Sequence, residues 1–318
     1  MPSPLGQIYT RALTEPGDSV VSSAMHGLPW DEVLSGAASG VALAMLQGEK
    51  PTPYWLRWHA VLAAWPYPLV GFYTARVAYG EVPKDLIADA RLRAAAGQDL
   101  GVVRARDADG DLWVLLASQR TTELGPLPRD PEVGSSLQLL GARFLLVDPE
   151  GERHVQEEGS FKVDEAGVWL VEAQAPDGSR IASFPLFAGG KPPQVPPVEA
   201  EVSGLTEAAA LAVLDDIRAW YQFPTLARDA GLDSVARARL RGLRDGGLPP
   251  AENSLRAAGF VDVPVAGAEC HARTIAACLD GLWWTPDQRR IFAPDLNSVG
   301  VAVESDSAGV TVVLVAAG

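Results

Sequence analysis

The end of the chain, residues 283–318, constrains the fold more than any other segment. Residues 299–304 and 310–316 are rich in β-branched side chains, and the polar segment 305–309 between them ends in glycine. This pattern is typical of a β-hairpin. Because residues 310–316 are apolar at nearly every position, we expect this second strand to be buried on both faces.

The same hairpin pattern occurs earlier in the chain. Residues 100–118 align without a gap on residues 299–317, so that Gly101 matches Gly300 and Gly110 matches Gly309. This repetition indicates a diverged duplication with an unrelated insert between the two copies.

Length and composition limit the classes of protein to consider. A chain of 318 residues predicts two or three domains. Its net charge of −14 repels phosphate backbones, so we expect no nucleic-acid partner. The most apolar stretch, residues 33–46, is too short for a membrane span. The residues after Met1 show no leader pattern.

The two cysteines, Cys270 and Cys278, fall in a segment, residues 269–282, that we interpret as one helix. At about 1.5 Å of rise per residue they would lie roughly 12 Å apart, too far for a disulfide. We therefore expect two buried thiols.

The chain divides by texture into three units and a linker. Residues 1–122 contain two helices, an aromatic segment at 54–79 and the first hairpin. Residues 123–190 alternate short strands with turns, which predicts a small all-β sandwich whose late strands resemble immunoglobulin-like modules. Residues 191–201 form a proline- and glycine-rich linker. Residues 202–318 contain helices at 206–221, 232–243 and 269–282, followed by the terminal hairpin.

The third unit resembles the CAP superfamily (cysteine-rich secretory proteins, antigen 5 and pathogenesis-related 1), or SCP-like domains, in its short bacterial form. Residues 285–289 stand for the family's Ser-Pro-x-His-Arg, and residues 291–294 for Ile-Leu-x-Pro. Residues 299–303 stand for Val-Gly-Val-Gly-Val, and residues 250–253 for Gly-Glu-Asn. The resemblance implies an α+β protein with a C-terminal α-β-α sandwich, a diverged CAP-like unit at the N-terminus and the all-β sandwich between them. It also implies a bacterial protein that is extracellular, periplasmic or on the cell surface, whereas the residues themselves leave a cytoplasmic location open as the alternative.

The resemblance argues against a metal centre. Family members that bind a divalent metal use two histidines and two glutamates in a cleft. Here Arg239 and Gln288 stand where the histidines are expected, Glu252 is the glutamate of Gly-Glu-Asn, and the second glutamate has no match, with Asp280 the nearest acid. We therefore expect no metal and no cofactor, with Arg239 paired to Glu252 in place of the metal.

If the cleft binds a ligand, the resemblance indicates a polar one. Its candidate lining consists of cleft residues, with one of two tryptophans at the edge: Arg239, Glu252, Asn253, Gln288, Trp283 and Trp284. Motifs of nucleophilic catalysis and of phosphate binding do not occur in the sequence.

These observations favour a non-catalytic binding or interaction protein whose ligand is a glycan, a lipid or another protein. One alternative is a hydrolase that uses Glu252 as its general base. Another is a structural subunit of a larger assembly, with the aromatic segment as its interface.

Overall fold

The computed structural model describes residues 18–125, 128–246 and 249–318. Within these ranges the strands form separate, mainly antiparallel sheets covered by helices, which is the α+β class expected from the sequence. The expectation about a leader after Met1 falls outside the described residues. Among them, none of the helices has both the length and the apolar character required to cross a bilayer.

The N-terminal part is built on a three-stranded sheet of order β1-β3-β2. Every residue of the central strand β3 is buried. Helix α2 covers one face of the sheet and helices α1 and α4 cover the other. The elements are α1 Ser19–Ala24, α2 Glu32–Leu46, α3 Pro53–Leu62, β1 Leu69–Val77, α4 Lys84–Ala95, β2 Asp99–Asp107 and β3 Gly110–Ser118.

The middle part consists of two sheets with a common core. A β4-β7 pair packs through Leu137 and Leu139 against Phe144 and Trp169 of a sheet of order β6-β5-β8-β9. Strand β6 was not expected from the sequence, because three of its four residues are polar and its one apolar residue, Val155, is exposed. The strands are β4 Ser136–Leu139, β5 Arg143–Val147, β6 Arg153–Gln156, β7 Gly159–Lys162, β8 Gly167–Gln174 and β9 Arg180–Ala188.

The C-terminal part has a four-stranded sheet of order β10-β12-β13-β11. Helices α6 and α7 pack on one face, and α5 and α8 pack on the other. The hairpin predicted at the end of the chain is confirmed as β12 and β13, and β13 is almost wholly buried. The elements are α5 Glu207–Trp220, β10 Ala227–Arg228, α6 Ala230–Asp245, α7 Ala251–Ala257, β11 Val265–Ala272, α8 Ile275–Trp283, a 3₁₀ helix Pro286–Phe292, β12 Ser298–Ser305 and β13 Val310–Ala317.

The prediction of one helix over residues 269–282 is wrong, and so is the prediction of two free thiols. Strand β11 runs to Ala272 and pairs with β13, and Thr274 then begins α8 by accepting a hydrogen bond from the backbone N–H of Ala277. Because the chain turns back at this point, the Cα atoms of Cys270 and Cys278 lie 5.4 Å apart and the two residues form a disulfide.

Each hairpin contacts a helix in the same two ways, through a backbone hydrogen bond and through a glycine that lies close to the helix backbone. The N–H of Asp31, which caps α2, donates to the carbonyl of Leu100 at 2.8 Å, and that of Asp229, which caps α6, donates to the carbonyl of Val299 at 2.9 Å. One residue further along each strand is a glycine. A Cβ at Gly101 would lie 2.4 Å from the carbonyl carbon of Leu34 in α2, and a Cβ at Gly300 would lie 2.0 Å from that of Leu232 in α6.

A cluster of aromatic side chains joins the three parts. The indole of Trp58 in α3 lies 6.0 Å from the ring of Phe187 in β9, 5.7 Å from Trp220 in α5 and 6.1 Å from Trp283 in α8, measured between ring centroids. Its Nε1 donates to the carbonyl of Pro193 at 3.0 Å. Two buried rings of the aromatic segment, Tyr54 and Trp58, thus belong to a core that all three parts share, whereas Trp65 and Tyr67 belong to a second core.

Candidate functional site

Arg239 lies in α6 beneath α7, with only 4% of its surface exposed. Its Nη1 donates to the carbonyl of Pro249 at 2.8 Å and to Oγ of Ser254 at 3.3 Å. Its Nη2 forms an ion pair with Oε2 of Glu269 at 3.0 Å. The guanidinium is therefore held by three groups of the protein itself.

Glu269 lies on β11, the outer strand of its sheet, and its side chain is about one third exposed. Its backbone N–H donates to Oε1 of Gln288 in the 3₁₀ helix at 2.9 Å. One glutamate thus contacts both residues that stand where the family's histidines are expected. We call Arg239, Glu269 and Gln288 the closed cleft, because the Arg239–Glu269 ion pair spans it; on its other side Arg239 lines a pocket of about 490 Å³ between α6 and α7.

The structure places the other two polar candidates elsewhere. Glu252 and Asn253 are exposed near the start of α7, and Glu252 does not pair with Arg239. The next residue, Ser254, is the one that contacts the guanidinium. The expected Arg239–Glu252 ion pair is therefore replaced by the pair with Glu269.

The two tryptophans do not border the closed cleft. Trp283 and Trp284 are buried in the core formed with α5, on the face of the sheet opposite α6. Trp284 Nε1 donates to Oδ1 of Asp280 at 3.2 Å, and Arg57 pairs with Oδ2 of that carboxylate at 2.9 Å. Burial raises the pKa of Asp280, although Arg57 and Trp284 oppose the shift. Asp280, the nearest acid in sequence, thus belongs to this core as well.

Glu269 is the site residue that the sequence interpretation missed. A signal was available, because the small apolar residues Ala266 and Ala268 alternate with Gly267 and Glu269. This period of two is typical of a strand and puts Glu269 on the face opposite the alanines. The helical interpretation hid that alternation.

The chemistry of the closed cleft is that of an ion pair. Its members supply one guanidinium, one carboxylate and one amide, and no imidazole or thiolate of the kind that zinc prefers. The nearby His271, two residues after Glu269 on β11, hydrogen-bonds through Nδ1 with Oγ1 of Thr311 at 3.0 Å. In the described part of the chain, His, Cys, Asp and Glu form no group of three or more that could hold a metal.

Comparisons with known proteins return distant structural likenesses. No family model matches the sequence, and no curated protein matches it. A cysteine-rich secretory protein from Staphylococcus aureus is 10% identical with a TM-score of 0.31, and the match covers 87% of this chain and 91% of that one. An extracellular SCP-domain protein from Bacillus anthracis is 11% identical with a TM-score of 0.28, covering 68% and 80% respectively.

Proposed function

We propose that this protein is a non-catalytic binding or interaction protein whose C-terminal cleft is closed by its own ion pair. The observation that carries the proposal is the contact between Arg239 and Glu269. In this contact the buried guanidinium of Arg239 neutralises the carboxylate of Glu269. A carboxylate that is already paired with a buried guanidinium is a poor general base. Glu252, the base of the alternative hydrolase, is exposed and lies outside this arrangement.

We further propose that the protein works outside the bacterial cytoplasm and that its ligand is a glycan, a lipid or another protein. The disulfide between Cys270 and Cys278 supports export, because such bonds persist mainly in oxidising compartments.

The parallel supports of the two hairpins favour a duplication of the outer parts. Ser35 accepts a hydrogen bond from the N–H of Val102 at 3.1 Å, and Asp233 accepts one from the N–H of Val301 at 3.0 Å. In this correspondence Val41 stands at the place of Arg239, so the N-terminal copy lacks the cation of the closed cleft. We propose that the first copy has a purely structural role.

Zinc titration tests the closed cleft. We expect the wild-type protein to show no zinc-dependent rise in melting temperature. The variant R239H/Q288H puts an imidazole at each of two places in contact with Glu269, so zinc should raise its melting temperature by mass action. Differential scanning fluorimetry and calorimetric titration measure both effects.

The matched control is R239H/Q288A, which loses the same ion pair but gains only one imidazole. It should respond to zinc much less than R239H/Q288H does. Stoichiometric zinc binding by the wild-type protein that disappears in Glu269→Gln would overturn the proposal and restore a catalytic role for the cleft.

A further inference from the structure

A groove of about 580 Å³ lies where the three parts of the molecule meet. Helix α3 contributes Leu56 and Arg57, strand β9 contributes residues 180–183, and Trp284 comes from the C-terminal part. The volume falls within the range of ordinary ligand sites. We call this the three-part groove.

The groove runs along the edges of two sheets. Consecutive residues of β1, from Leu69 to Phe72, and of β9, from Arg180 to Ser183, line it. The face of a sheet presents only every second residue, so consecutive lining residues indicate an edge. Both strands are outermost in their sheets.

The backbone groups on the outer side of these edges have no backbone partner from another described segment. Among the described residues, no backbone hydrogen bond joins residues 69–72 or 180–183 to any segment outside their own sheets. Further along β9 the edge is already covered, because the N–H of Phe187 donates to the carbonyl of Arg129 at 2.6 Å. The open part of β9 is thus the part that faces the groove.

Two guanidinium groups stand at one end of the groove, beside Trp284. Arg57 lies 4.9 Å from the centroid of the Trp284 ring, and Arg180 Nη1 donates to the carbonyl of Trp284 at 3.2 Å. About half of each arginine side chain is exposed, whereas their carboxylate partners, Asp280 and Glu172, are buried behind them. The exposed charged groups at this end of the groove are therefore the two guanidiniums, each paired with a carboxylate that lies buried behind it.

We propose that the three-part groove binds an extended, acidic peptide segment by strand addition to β9. The backbone groups that residues 180–183 direct away from β8 pair with the main chain of the peptide, and Arg57 and Arg180 receive its carboxylates. Apolar side chains of the peptide pack between Leu56 and Phe72. Strand addition to an exposed sheet edge is an established mode of peptide recognition. The inference rests on the proposed role as a binding protein, but it uses a site separate from the closed cleft, so failure here leaves the zinc experiment unaffected.

The test uses a fluorescein-labelled heptapeptide in which valine and glutamate alternate, with fluorescence anisotropy as the readout. We expect saturable 1:1 binding. Replacing the glutamates by glutamines should weaken it by about three- to tenfold, as for partly exposed ion pairs. N-methylation of the peptide at alternate positions should abolish binding for one set of positions and leave it within about twofold for the other, because only alternate N–H groups face the sheet.

Variants of the protein locate the site. Arg180→Gln should weaken binding by about threefold or more, and Arg180→Lys, which keeps the charge, should weaken it less. The pair R57Q/D280N removes the second cation without leaving a buried carboxylate unpaired, and it should weaken binding similarly. R91Q/R241Q removes two exposed arginines elsewhere and should leave the affinity unchanged.

Three results would overturn the proposal. The first is no saturable binding of the peptide. The second is binding that neither set of N-methyl groups weakens, which would mean that side chains alone dock. The third is displacement of the peptide by dodecanoate at an equal or lower concentration, which would make the groove a site for anionic amphiphiles.

Discussion

The surroundings of His59 predict how the stability of the fold depends on pH. Helices α2 and α3 approach so closely here that a Cβ at Gly40 would lie 2.5 Å from Nδ1 of His59. Its Nε2 is buried, and the described residues offer it no hydrogen-bond partner. Burial lowers the pKa of this imidazole to about 4.

The lowered pKa predicts that acid destabilises the fold through His59. In the unfolded chain this group titrates near 6.5, so between pH 6.5 and 4 the unfolded state binds more protons. The free energy of unfolding should therefore fall by about 2–3 kcal/mol over that interval as the pH is lowered. Urea titrations at a series of pH values measure the slope.

The control for this prediction is a second histidine. His59→Gln should flatten the slope between pH 4 and 6.5, whereas His26→Gln, which removes an exposed imidazole, should leave it unchanged. If both variants keep the wild-type slope, the acid sensitivity arises from other groups.

At the scale of single residues, the sequence identified part of the candidate site. Arg239 and Gln288 were found because they stand at fixed places in local motifs. Glu269 was not found, because its contact with Arg239 depends on which face of β11 it occupies. Glu252 matches the motif in residue type, but it lies in the first turn of α7 and is exposed to solvent.

At the scale of elements, the disulfide connects β11 to α8 across a short turn. We expect its loss in C270A/C278A to lower the free energy of unfolding by about 2–3 kcal/mol, chiefly by freeing the unfolded chain. Urea denaturation of the variant and of the oxidised wild-type protein measures the difference. Reductant should destabilise the wild-type protein and leave the variant unaffected. If reductant does not destabilise the wild-type protein, the disulfide does not support the fold.

Gly101 and Gly300, which lie against α2 and α6, give a second prediction at the scale of elements. Gly101→Ala and Gly300→Ala should each cost more than about 2 kcal/mol, because the added methyl group would meet helix backbone that cannot move aside. Thermal denaturation followed by circular dichroism measures the loss.

The matched control is Gly190→Ala, since no atom lies within 4 Å of a Cβ built there. It should change stability by less than about 0.5 kcal/mol. If Gly101→Ala also changed stability by less than about 0.5 kcal/mol, the fold would not require the close approach of α2 to β2. The correspondence between the hairpins would then lose its main support.

The elements that the sequence predicted well are those with a strong local signal. Both hairpins have β-branched strands around a polar turn ending in glycine, and α5 has apolar residues at helical spacing behind the cap at Thr206. Strand β11 was misassigned because a run of small residues fits a helix as well as a strand, and only pairing with β13 decides between them.

At the scale of the whole molecule, the shared aromatic core makes the three parts interdependent. Trp58→Ala should lower the free energy of unfolding by about 3–5 kcal/mol, because it empties a fully buried site that contacts all of them. We expect far-ultraviolet circular dichroism and tryptophan fluorescence to report one coincident transition.

Trp30→Ala is the control, since 40% of the Trp30 surface is exposed. It should cost less than about 1 kcal/mol. Separate transitions in the wild-type protein, or equal losses for the two variants, would mean that the parts fold independently.

The side chain of Gln288 also covers part of the outer edge of the C-terminal sheet. Its amide oxygen occupies an N–H that β11 directs away from its own sheet. Unpaired N–H and C=O groups along an edge strand can pair with another copy of the chain and lead to aggregation. Proteins commonly block such edges. By accepting from this N–H, the side chain of Gln288 therefore blocks one position of the β11 edge against pairing with another chain.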